Sequence, residues 1–540
     1  MDFTGRDLIR GEPEKVITEK VDYLKDIGVC AVWLSPVLKS PQLDFGYDVS
    51  DFKQIDPIYG TMQDFDRMID KFHKAGTKVL LNFVPNHTSN MHDWLKKSVK
   101  RINPYTDYFI WKDAKYVDGV RSPPNNWVAR FTGPAWEWND QRQQYYLHQF
   151  LVEQPDLDYR NPKVHDEIKD VMDFWLKRGL DGFRIDAICF IYERADFADE
   201  PESGEAGFVP TDYSYWKHVC TRDQPENVDL AKELEEFVNS YKKTESDTPK
   251  ILLLECYGPP SVVMPFYGND TRIGAAFPFN FNMLDYMNRE SDVQAIKDMI
   301  AIWLANMPEG KWANWVISNH DRVRIATRMD NMLLDGIHML QMVLPGTAIT
   351  YYGDELGMED TYVRWDQATD TFALNVGPDR FTLFDRGPSR SPFPWDDSKN
   401  AGFSDGPDLW LPINPNYWMN NMKLQTKRKS HLKTYQALAT LRKSATFIYG
   451  DADVFVISKW VLALSRSYKD HPTYIVVINF NSYTETVDLL KDRPTLPHNL
   501  NVQLSSLNAS INEGNLVKTN SIVLRPKAAL LLTTARNDEN

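Results

Sequence analysis

Three carboxylates in this 540-residue sequence have the spacing and surroundings that acid–base chemistry requires. Asp186 lies in segment 182–187 (GFRIDA), Glu255 follows the leucines of segment 252–256 (LLLEC), and Asp321 ends segment 318–321 (SNHD). Each follows a short apolar run of the kind that forms a buried strand. Because barrel enzymes place their chemistry at the carboxyl ends of parallel strands, we expect the three carboxylates to converge.

Asp186 and Glu255 are the pair best suited to cleaving a glycosidic bond. On neighbouring strands their carboxyl groups could lie about 5–5.5 Å apart, the separation of a retaining pair. Arg184 stands two residues before Asp186 and therefore faces the same side of the strand. Its guanidinium favours the ionised carboxylate that a nucleophile needs, whereas the apolar strand before Glu255 favours the protonated form that a general acid needs.

Two histidines lie in segments of the same type, His87 in segment 82–89 (NFVPNHTS) and His320 directly before Asp321. Taken singly, each of these polar residues has an ordinary explanation. A lone carboxylate after a strand is usually a loop cap or an ion-pair partner, and Asn86-His87-Thr88 also matches a glycosylation sequon. The presence of all four segments in this order favours one active site.

The elements that must position these residues alternate along the chain. Strand-like runs at 29–36, 78–85, 182–187, 250–256, 273–281, 314–318 and 347–352 are separated by amphipathic segments at 18–27, 62–75, 164–178 and 228–241. This repetition predicts a parallel sheet, and its number of runs and length predict an α/β fold, a (β/α)₈ TIM barrel. Seven strands are visible, and the first barrel strand is expected to be missing.

Two further regions interrupt or follow the barrel. The helix expected after 78–85 is delayed by an insertion rich in Trp, Asn and Pro, and after a helix near 431–444 the pattern changes to short alternating strands. We therefore predict barrel segments at 1–87 and 161–445, a small inserted domain at 88–160 and a C-terminal antiparallel β-sandwich at 446–540. Long loops at 189–221 and 357–422 are expected beside the site.

Composition excludes several classes of function. A formal net charge of −14 argues against nucleic acid as a partner. No apolar window is long enough for a transmembrane helix, and residues 1–7 lack the apolar core of a signal peptide. The four cysteines (Cys30, Cys189, Cys220 and Cys256) lack the paired spacing of a zinc site. They are expected to be mostly buried free thiols, with a Cys189–Cys220 disulfide left open.

The four polar segments resemble the signature regions of the α-amylase superfamily of glycoside hydrolases. Segment 154–159 (QPDLDY) resembles an additional motif of its α-glucosidase branch, as do segments 45–48 (FGYD) and 390–395 (RSPFPW). The similarity runs from about residue 19 to the C-terminus. Within the branch the chain is most similar to insect maltases and, more narrowly, to lepidopteran sucrose hydrolases.

The resemblance implies a role for each catalytic carboxylate. Asp186 would be the nucleophile, Glu255 the general acid and base, and Asp321 the group that holds sugar hydroxyls and favours the distorted transition state. Asn82 stands where the family usually has Asp, and we expect this difference to tune activity rather than abolish it. The resemblance implies no metal in the site and no cofactor.

Further residues would bind the non-reducing glucose. The resemblance implies that His87, Arg184 and His320 line its subsite and that Tyr47 stacks against the ring. Asp48 and Arg390 would bind the terminal 4-hydroxyl and close the pocket behind it. A pocket closed in this way favours exo-acting cleavage over the cutting of long chains.

The expected reaction is retaining, exo-acting hydrolysis of short α-glucosides, with sucrose as the first substrate and a broad maltase (α-1,4-glucosidase) as the alternative. A rival from another class is a non-catalytic ectodomain like the heavy chains of amino-acid transporters, which often lack part of the catalytic trio. We expect a monomer that takes a small sugar as its partner. Relatives are secreted, so the resemblance implies an extracellular or gut-lumenal location.

Overall fold

A barrel of eight parallel strands positions the polar segments. The computed structural model describes residues 2–3, 13–242, 244, 248–268 and 276–534. The barrel strands, numbered β1 to β8, are Asp2–Phe3, Ala31–Leu34, Lys78–Phe83, Gly182–Ile185, Ile251–Leu254, Ala276–Pro278, Asn314–Val316 and Thr347–Ile349. Hydrogen-bonded ladders join β1 to β6 in sequence order and pair β7 with β8. The predicted TIM barrel and all seven predicted strands are confirmed, although residues 273–275 of one predicted run lie outside the described residues.

The expectation of a missing first strand is corrected. Asp2 and Phe3 form a two-residue strand that pairs in parallel with β2, in register with Trp33 and Leu34. Two residues are too few to show an apolar period, so the sequence pattern could not reveal this strand. β2 therefore has a neighbour on both sides, β1 and β3.

Seven longer helices, numbered α1 to α7, accompany the strands. They span Pro13–Asp26, Met62–Ala75, Pro162–Lys177, Pro225–Asn239, Val293–Asn306, Leu334–Val343 and His431–Leu441. α2 shows how local sequence sets its limits: Thr61 and Asp64 form a reciprocal capping box, and Gly76 ends the helix in the left-handed conformation. The predicted amphipathic segments correspond to α1, α2, α3 and α4.

The long loops contain shorter elements. A two-stranded sheet pairs Leu38–Lys39 with Asp51–Ile55. Short helices span Pro260–Val263, Asn282–Tyr286, Ile325–Arg328, Thr371–Val376, Met422–Gln425 and Ala445–Tyr449.

The region between β3 and α3 has its own small core. It contains a helix, Asp93–Val99, a three-stranded sheet and a hairpin. The sheet strands are Trp111–Lys112, Gln144–Leu147 and Trp136–Asn139, and the hairpin strands are Lys115–Val117 and Val120–Ser122. Trp127 and Trp136 pack in this core with Cys220, so the loop after β4 contributes to it.

The C-terminal region is antiparallel, as predicted. Its six-stranded sheet contains, in spatial order, Asp451–Ser458, Val461–Ser467, Tyr474–Asn479, Ala529–Thr533, Asn499–Ser505 and Leu516–Lys518. A second ladder pairs Glu485–Val487 with Ile522–Leu524. Ile522–Leu524 and Ala529–Thr533 are separate strands, and Lys527 between them has a left-handed backbone conformation. The domain limits proposed from the sequence stay predictions.

Candidate active site

A cavity of about 460 Å³ opens at the carboxyl ends of the barrel strands. Asp186, Glu255 and Asp321 all line it, although they lie up to 135 residues apart in the sequence (321 − 186). Asp186 directly follows β4 and Glu255 directly follows β5, two strands that are hydrogen-bonded to each other. The barrel thus brings the three predicted carboxylates together.

Arg184 links the two carboxylates of the predicted catalytic pair. Its guanidinium donates to Asp186, and its Nη2 lies 2.7 Å from Oε1 of Glu255. It also donates to Oδ1 of Asn82 at 2.9 Å. The Arg184 side chain is 1% exposed, so the interactions of its charge with the carboxylates are only weakly screened.

Glu255 is held against the backbone of the β4 segment. The Ala187 N–H donates to Glu255 Oε2 at 3.0 Å, and Arg184 binds both Glu255 and Asp186. One guanidinium that bridges two carboxylates holds them near each other, as in a retaining pair, whose carboxyl groups stand about 5–5.5 Å apart, rather than the 6.5–9.5 Å of an inverting pair.

The protonation of this pair follows from its surroundings. Burial raises the pKa of Asp186 well above its ordinary value; Arg184 opposes this effect, and the adjacent Glu255 carboxyl adds to it. Asp186 therefore holds a proton more tightly than an exposed aspartate does when no sugar is bound.

Asp321 has the opposite electrostatic environment. Its carboxylate accepts from Arg390 at 2.8 Å and from Arg386 at 3.5 Å, and it lies 3.3 Å from Nε2 of His320. Burial alone would raise the pKa of Asp321, but His320 and the two arginines together hold it well below its ordinary value. Asp321 therefore remains a carboxylate at pH values at which Asp186 is already protonated.

Tyr47 and His87 line the cavity, whereas His320, which was predicted to line it, packs against Tyr47 and is not among the lining residues. The Tyr47 hydroxyl lies 2.8 Å from Nε2 of His320, and the two rings stack with centroids 5.7 Å apart. Nε2 of His87 lies 3.1 Å from the side-chain nitrogen of Gln154. Burial lowers the pKa of His87 to about 4. His87 is therefore neutral near pH 7 and can exchange hydrogen bonds with a sugar hydroxyl.

The structure places Asp48 behind the cavity wall and Asp44 in it. The Asp48 side chain is fully buried and accepts hydrogen bonds from the Ser40 hydroxyl and from the N–H groups of Leu43 and Asp44. Asp44, four residues earlier, lines the cavity. Asp48 thus orders the loop that presents Asp44, so the predicted contact of Asp48 with sugar does not match its position.

Arg386 and Arg390 divide the role predicted for Arg390 alone. Arg390 donates to the backbone oxygen of His320 and to Asp321, so it supports the carboxylate from behind. Arg386 lines the cavity and donates to Asp44 and Asp370, each at 2.8 Å. The Asp44–Arg386 ion pair therefore stands at the end of the cavity where the sequence predicted Asp48 and Arg390.

The other end of the cavity is formed by loop residues that sequence reasoning did not select. Arg130, Tyr213, Tyr257 and Leu383 line it, and the Arg130 guanidinium lies 5.0 Å from the centroid of the Tyr213 ring. Leu383 is 77% exposed, so this end is open to solvent. No periodic pattern marks these positions, since they come from irregular loops.

Curated proteins from insects are similar to nearly the whole chain. Residues 14–450 match the α-amylase family, described as "Alpha amylase, catalytic domain". Maltase A1 of Drosophila melanogaster is 40% identical, covering 96% of this chain and 91% of its own length. A salivary α-glucosidase of Anopheles gambiae is 39% identical, with coverage of 97% and 90%. An amino acid transporter heavy chain of Mus musculus is 35% identical, with coverage of 96% and 74%.

Solved structures have the same fold. An α-glucosyl transfer enzyme superposes with a TM-score of 0.84 at 30% identity, covering 98% of both chains. A trehalulose synthase from Pseudomonas mesoacidophila superposes with a TM-score of 0.80 at 28% identity, covering 96% of this chain and 94% of its own. Among the described residues, no helix is both long and apolar enough to cross a membrane. With its barrel and clustered carboxylates, the chain belongs to the α-amylase family and is a glycoside hydrolase of its α-glucosidase branch.

Proposed function

We propose that this protein hydrolyses short α-glucosides from the non-reducing end with retention of configuration, as a maltase-type α-glucosidase. The observation that carries the proposal is that one buried guanidinium, Arg184, binds both the Asp186 and the Glu255 carboxyl groups. Such a pair can supply a nucleophile and a proton donor to one glycosidic bond.

In the first step, an Asp186 oxygen attacks the anomeric carbon of the bound glucose. Glu255 gives its proton to the glycosidic oxygen as the bond to the leaving sugar breaks. In the second step, Glu255 removes a proton from water, and the water oxygen displaces Asp186 from the anomeric carbon. Two displacements at one carbon return its original configuration.

Arg184 and Asp321 supply the electrostatic part of the mechanism. Arg184 donates to Asp186 and favours its carboxylate form, which the attack on the anomeric carbon requires. Asp321, kept ionised by His320 and Arg390, places a negative charge beside a transition state that carries positive charge. Both groups are fixed before the reaction begins, so they need no costly reorganisation.

Exo-action follows from the Asp44–Arg386 ion pair. The Asp44 carboxylate also accepts from Nε2 of Gln154 at 3.0 Å, and Arg386 is anchored to Asp370. A network of buried charges at one end of the cavity provides hydrogen bonds to terminal sugar hydroxyls and leaves no room for a further sugar unit. We therefore assign to Asp44 and Arg386 the binding of the non-reducing terminus.

Maltose is the better candidate substrate, ahead of sucrose. The relatives named above support the alternative of the sequence analysis, a maltase, more than they support sucrose. The test is the initial rate of glucose release from maltose, sucrose and isomaltose at equal concentrations. We expect maltose to be turned over fastest, and a clear preference for sucrose would contradict the proposal.

Retention is tested separately by proton NMR of the first glucose released from maltose. The expected product is α-glucose, which later equilibrates with the β-anomer. First release of β-glucose would show inversion and would contradict the double displacement.

The non-catalytic rival is weakened by the complete carboxylate trio in the cavity. Zero turnover of every α-glucoside by a folded chain would restore it. The salivary name of one relative supports the proposal that this protein acts outside the cell, and fractionation of the source tissue would test it. A small sugar remains the expected partner and a monomer the expected state.

A further inference from the structure

Two thiols and a carboxylate converge directly behind the catalytic pair. Cys189, Cys256 and Asp223 each offer one ligand atom, and these atoms all lie within 4.8 Å of one another. All four cysteines of the chain are free thiols, and Cys189 lies beside Cys256, so the disulfide to Cys220 left open by the sequence is not formed. The spacing along the chain hid this cluster, because the barrel brings its members together from the two ends of the β4–α4 connection and from the segment after β5.

The backbone fixes the cluster in place. The Asp223 N–H donates to the Cys189 carbonyl at 2.8 Å, and the Asn227 side chain donates to the same oxygen at 3.0 Å. Cys256 directly follows Glu255 after β5, and Cys189 lies in the short turn Ile188–Phe190 after β4. The ligand atoms are therefore carried by ordered parts of the fold.

The chemistry of the donors favours a soft divalent cation. Thiolate sulfur selects Zn²⁺ and similar ions over Mg²⁺ or Ca²⁺, which prefer oxygen. The negative charges of two thiolates and one carboxylate would be balanced by the two charges of the cation and by Arg222. The Arg222 guanidinium lies 3.9 Å from the Cys189 sulfur and forms an ion pair with Asp223 at 2.8 Å.

A cation can reach the cluster from solvent. Both cysteines are 1% exposed, but the Asp223 side chain is 29% exposed, and Cys189 also lines the active-site cavity. A cation can bind first to the carboxylate and then to the thiols, each of which releases its proton. A water molecule could complete a tetrahedral site.

We propose that Cys189, Cys256 and Asp223 form a binding site for a soft divalent cation such as Zn²⁺, and that its occupation inhibits the enzyme. The inhibitory part rests on the proposed function; the binding part does not.

Inhibition follows from the chain segments involved. Zn–S bonds of about 2.3 Å draw both sulfurs toward one ion. The same segments carry Asp186 and Glu255, and they are hydrogen-bonded to each other from Ile188 N–H to the Glu255 carbonyl. A displacement of about 1 Å at a catalytic group can cost about 10²-fold in rate. We therefore expect a loss approaching a hundredfold at saturation.

The test uses the full, reduced chain. Cd²⁺ is added while thiolate-to-metal charge-transfer absorption is recorded, and Zn²⁺ is added while maltose turnover is measured. We expect the unaltered chain to bind one Cd²⁺. Cys189→Ser and Cys256→Ser should show no charge-transfer band at one Cd²⁺ per chain. Asp223→Asn should bind Cd²⁺ at least about tenfold more weakly. Cys220→Ser, a buried thiol in the inserted core, is the matched control and should bind as the unaltered chain does.

Each alternative result has a defined meaning. Failure of the unaltered chain to bind Cd²⁺, or binding that persists in both cysteine variants, would overturn the site. The site would also be overturned if denatured, unreduced protein had two free thiols instead of four and mass spectrometry identified a Cys189–Cys256 disulfide. Binding of Zn²⁺ without loss of turnover would overturn its inhibitory role. Circular dichroism of each variant separates loss of ligand from loss of fold, and Asp223→Asn changes only a partly exposed side chain.

Discussion

The two ends of the active-site cavity are built in different ways. At the glucose end, Asp44, Arg386 and Asp370 form a continuous set of buried ion pairs, and His87 and Tyr47 complete the wall. At the open end, Arg130 and Leu383 line the cavity from loop segments, and the Leu383 side chain is 77% exposed. A rigid set of charges can fix one sugar unit, whereas a loop-lined mouth can accept several leaving groups.

This difference separates residues that the barrel holds in place from residues whose positions depend on loop packing. Residues at strand ends, such as Asp186 and Glu255, are held by backbone ladders on both sides. Residues on long loops depend on how those loops pack, so they can change without disturbing the barrel. We expect substitutions at the closed end to reduce activity on every substrate and substitutions at the open end to change preference among substrates.

The largest effect is expected for Asp186→Asn. Without the nucleophile no glycosyl-enzyme forms, and turnover of maltose should fall by about 10⁵-fold or more, the order found when a hydrolytic nucleophile is removed. The measurement is kcat with each protein at equal folded concentration. Asp48→Asn is the matched control, because Asp48 is equally buried but lies outside the cavity. Comparable losses in the two variants would contradict the assignment.

Glu255→Gln should be the next most severe change. Loss of general acid catalysis costs about 10²–10⁴-fold when the leaving group is a sugar. An α-glucoside with a nitrophenolate leaving group needs little protonation, so its first step should be much less affected. The ratio of the two losses, measured by pre-steady-state kinetics, checks the assignment. Equal losses for both leaving groups would argue against Glu255 as the acid.

Asp44→Asn tests the closed end directly. The substitution removes the charge that binds Arg386. Because a charged hydrogen bond of about 2 kcal/mol is lost, we expect kcat/KM for maltose to fall roughly thirtyfold. Longer maltodextrins should lose kcat/KM by a similar factor, since their non-reducing glucose binds at the same closed end. A larger loss of kcat/KM in Asp48→Asn than in Asp44→Asn would return the binding role to Asp48.

Arg130→Gln tests the open end. Arg130 lines the cavity, and we expect its guanidinium to contact the leaving sugar. Its loss should therefore change the ratio of maltose to sucrose turnover roughly fivefold, the equivalent of about 1 kcal/mol. The rate of hydrolysis of the glucosyl-enzyme should stay the same, because the leaving sugar has already departed. A large, uniform loss on all substrates would show that this end is as essential as the closed one.

The smallest effect on activity is expected at Asp48, where the readout is stability. Burial raises the pKa of Asp48 to about 6, from a model-peptide value of 3.8. The folded state therefore holds this proton more tightly than the unfolded state between those pH values, and Asp48 lowers stability as pH rises through that range. Relative to that of Asp48→Asn, the free energy of unfolding of the unaltered chain should fall by up to about 3 kcal/mol between pH 4 and pH 7.

Urea unfolding of both proteins at pH 4 and pH 7 provides the measurement. A difference in unfolding free energy that is the same at both pH values would contradict a raised pKa at Asp48. Maltose turnover by the folded variant should stay within a fewfold range, since Asp48 does not line the cavity.

The sequence predicted the barrel and the catalytic trio because their signals are local. Apolar runs such as 252–254 bury a strand, and the polar residue that follows must lie at the mouth of the barrel. The two-residue strand β1 escaped because it is too short for a pattern. The borders of the inserted region remain predictions for the same reason, because no repeating pattern in the sequence marks them.

The choice between Asp44 and Asp48 could not be made from the sequence. Gln42, Phe45 and Gly46 adopt left-handed backbone conformations, so the loop has no fixed period that would say which carboxylate faces the cavity. Arg386 precedes a short 3₁₀ turn, Gly387–Arg390, and Arg390 ends it, so the two arginines pose the same ambiguity. Only the folded loop determines which member of each pair meets the substrate.

The most direct test of the central claim is to trap the glycosyl-enzyme. Glu255→Gln is incubated with α-glucosyl fluoride, whose leaving group needs no acid, and the digested protein is analysed by mass spectrometry. The account predicts one glucosyl unit on the peptide that contains Asp186, with no labelling in the Asp186→Asn, Glu255→Gln double variant. A glucosyl unit on Asp321 or Asp44, or turnover of the fluoride with no covalent adduct, would contradict it.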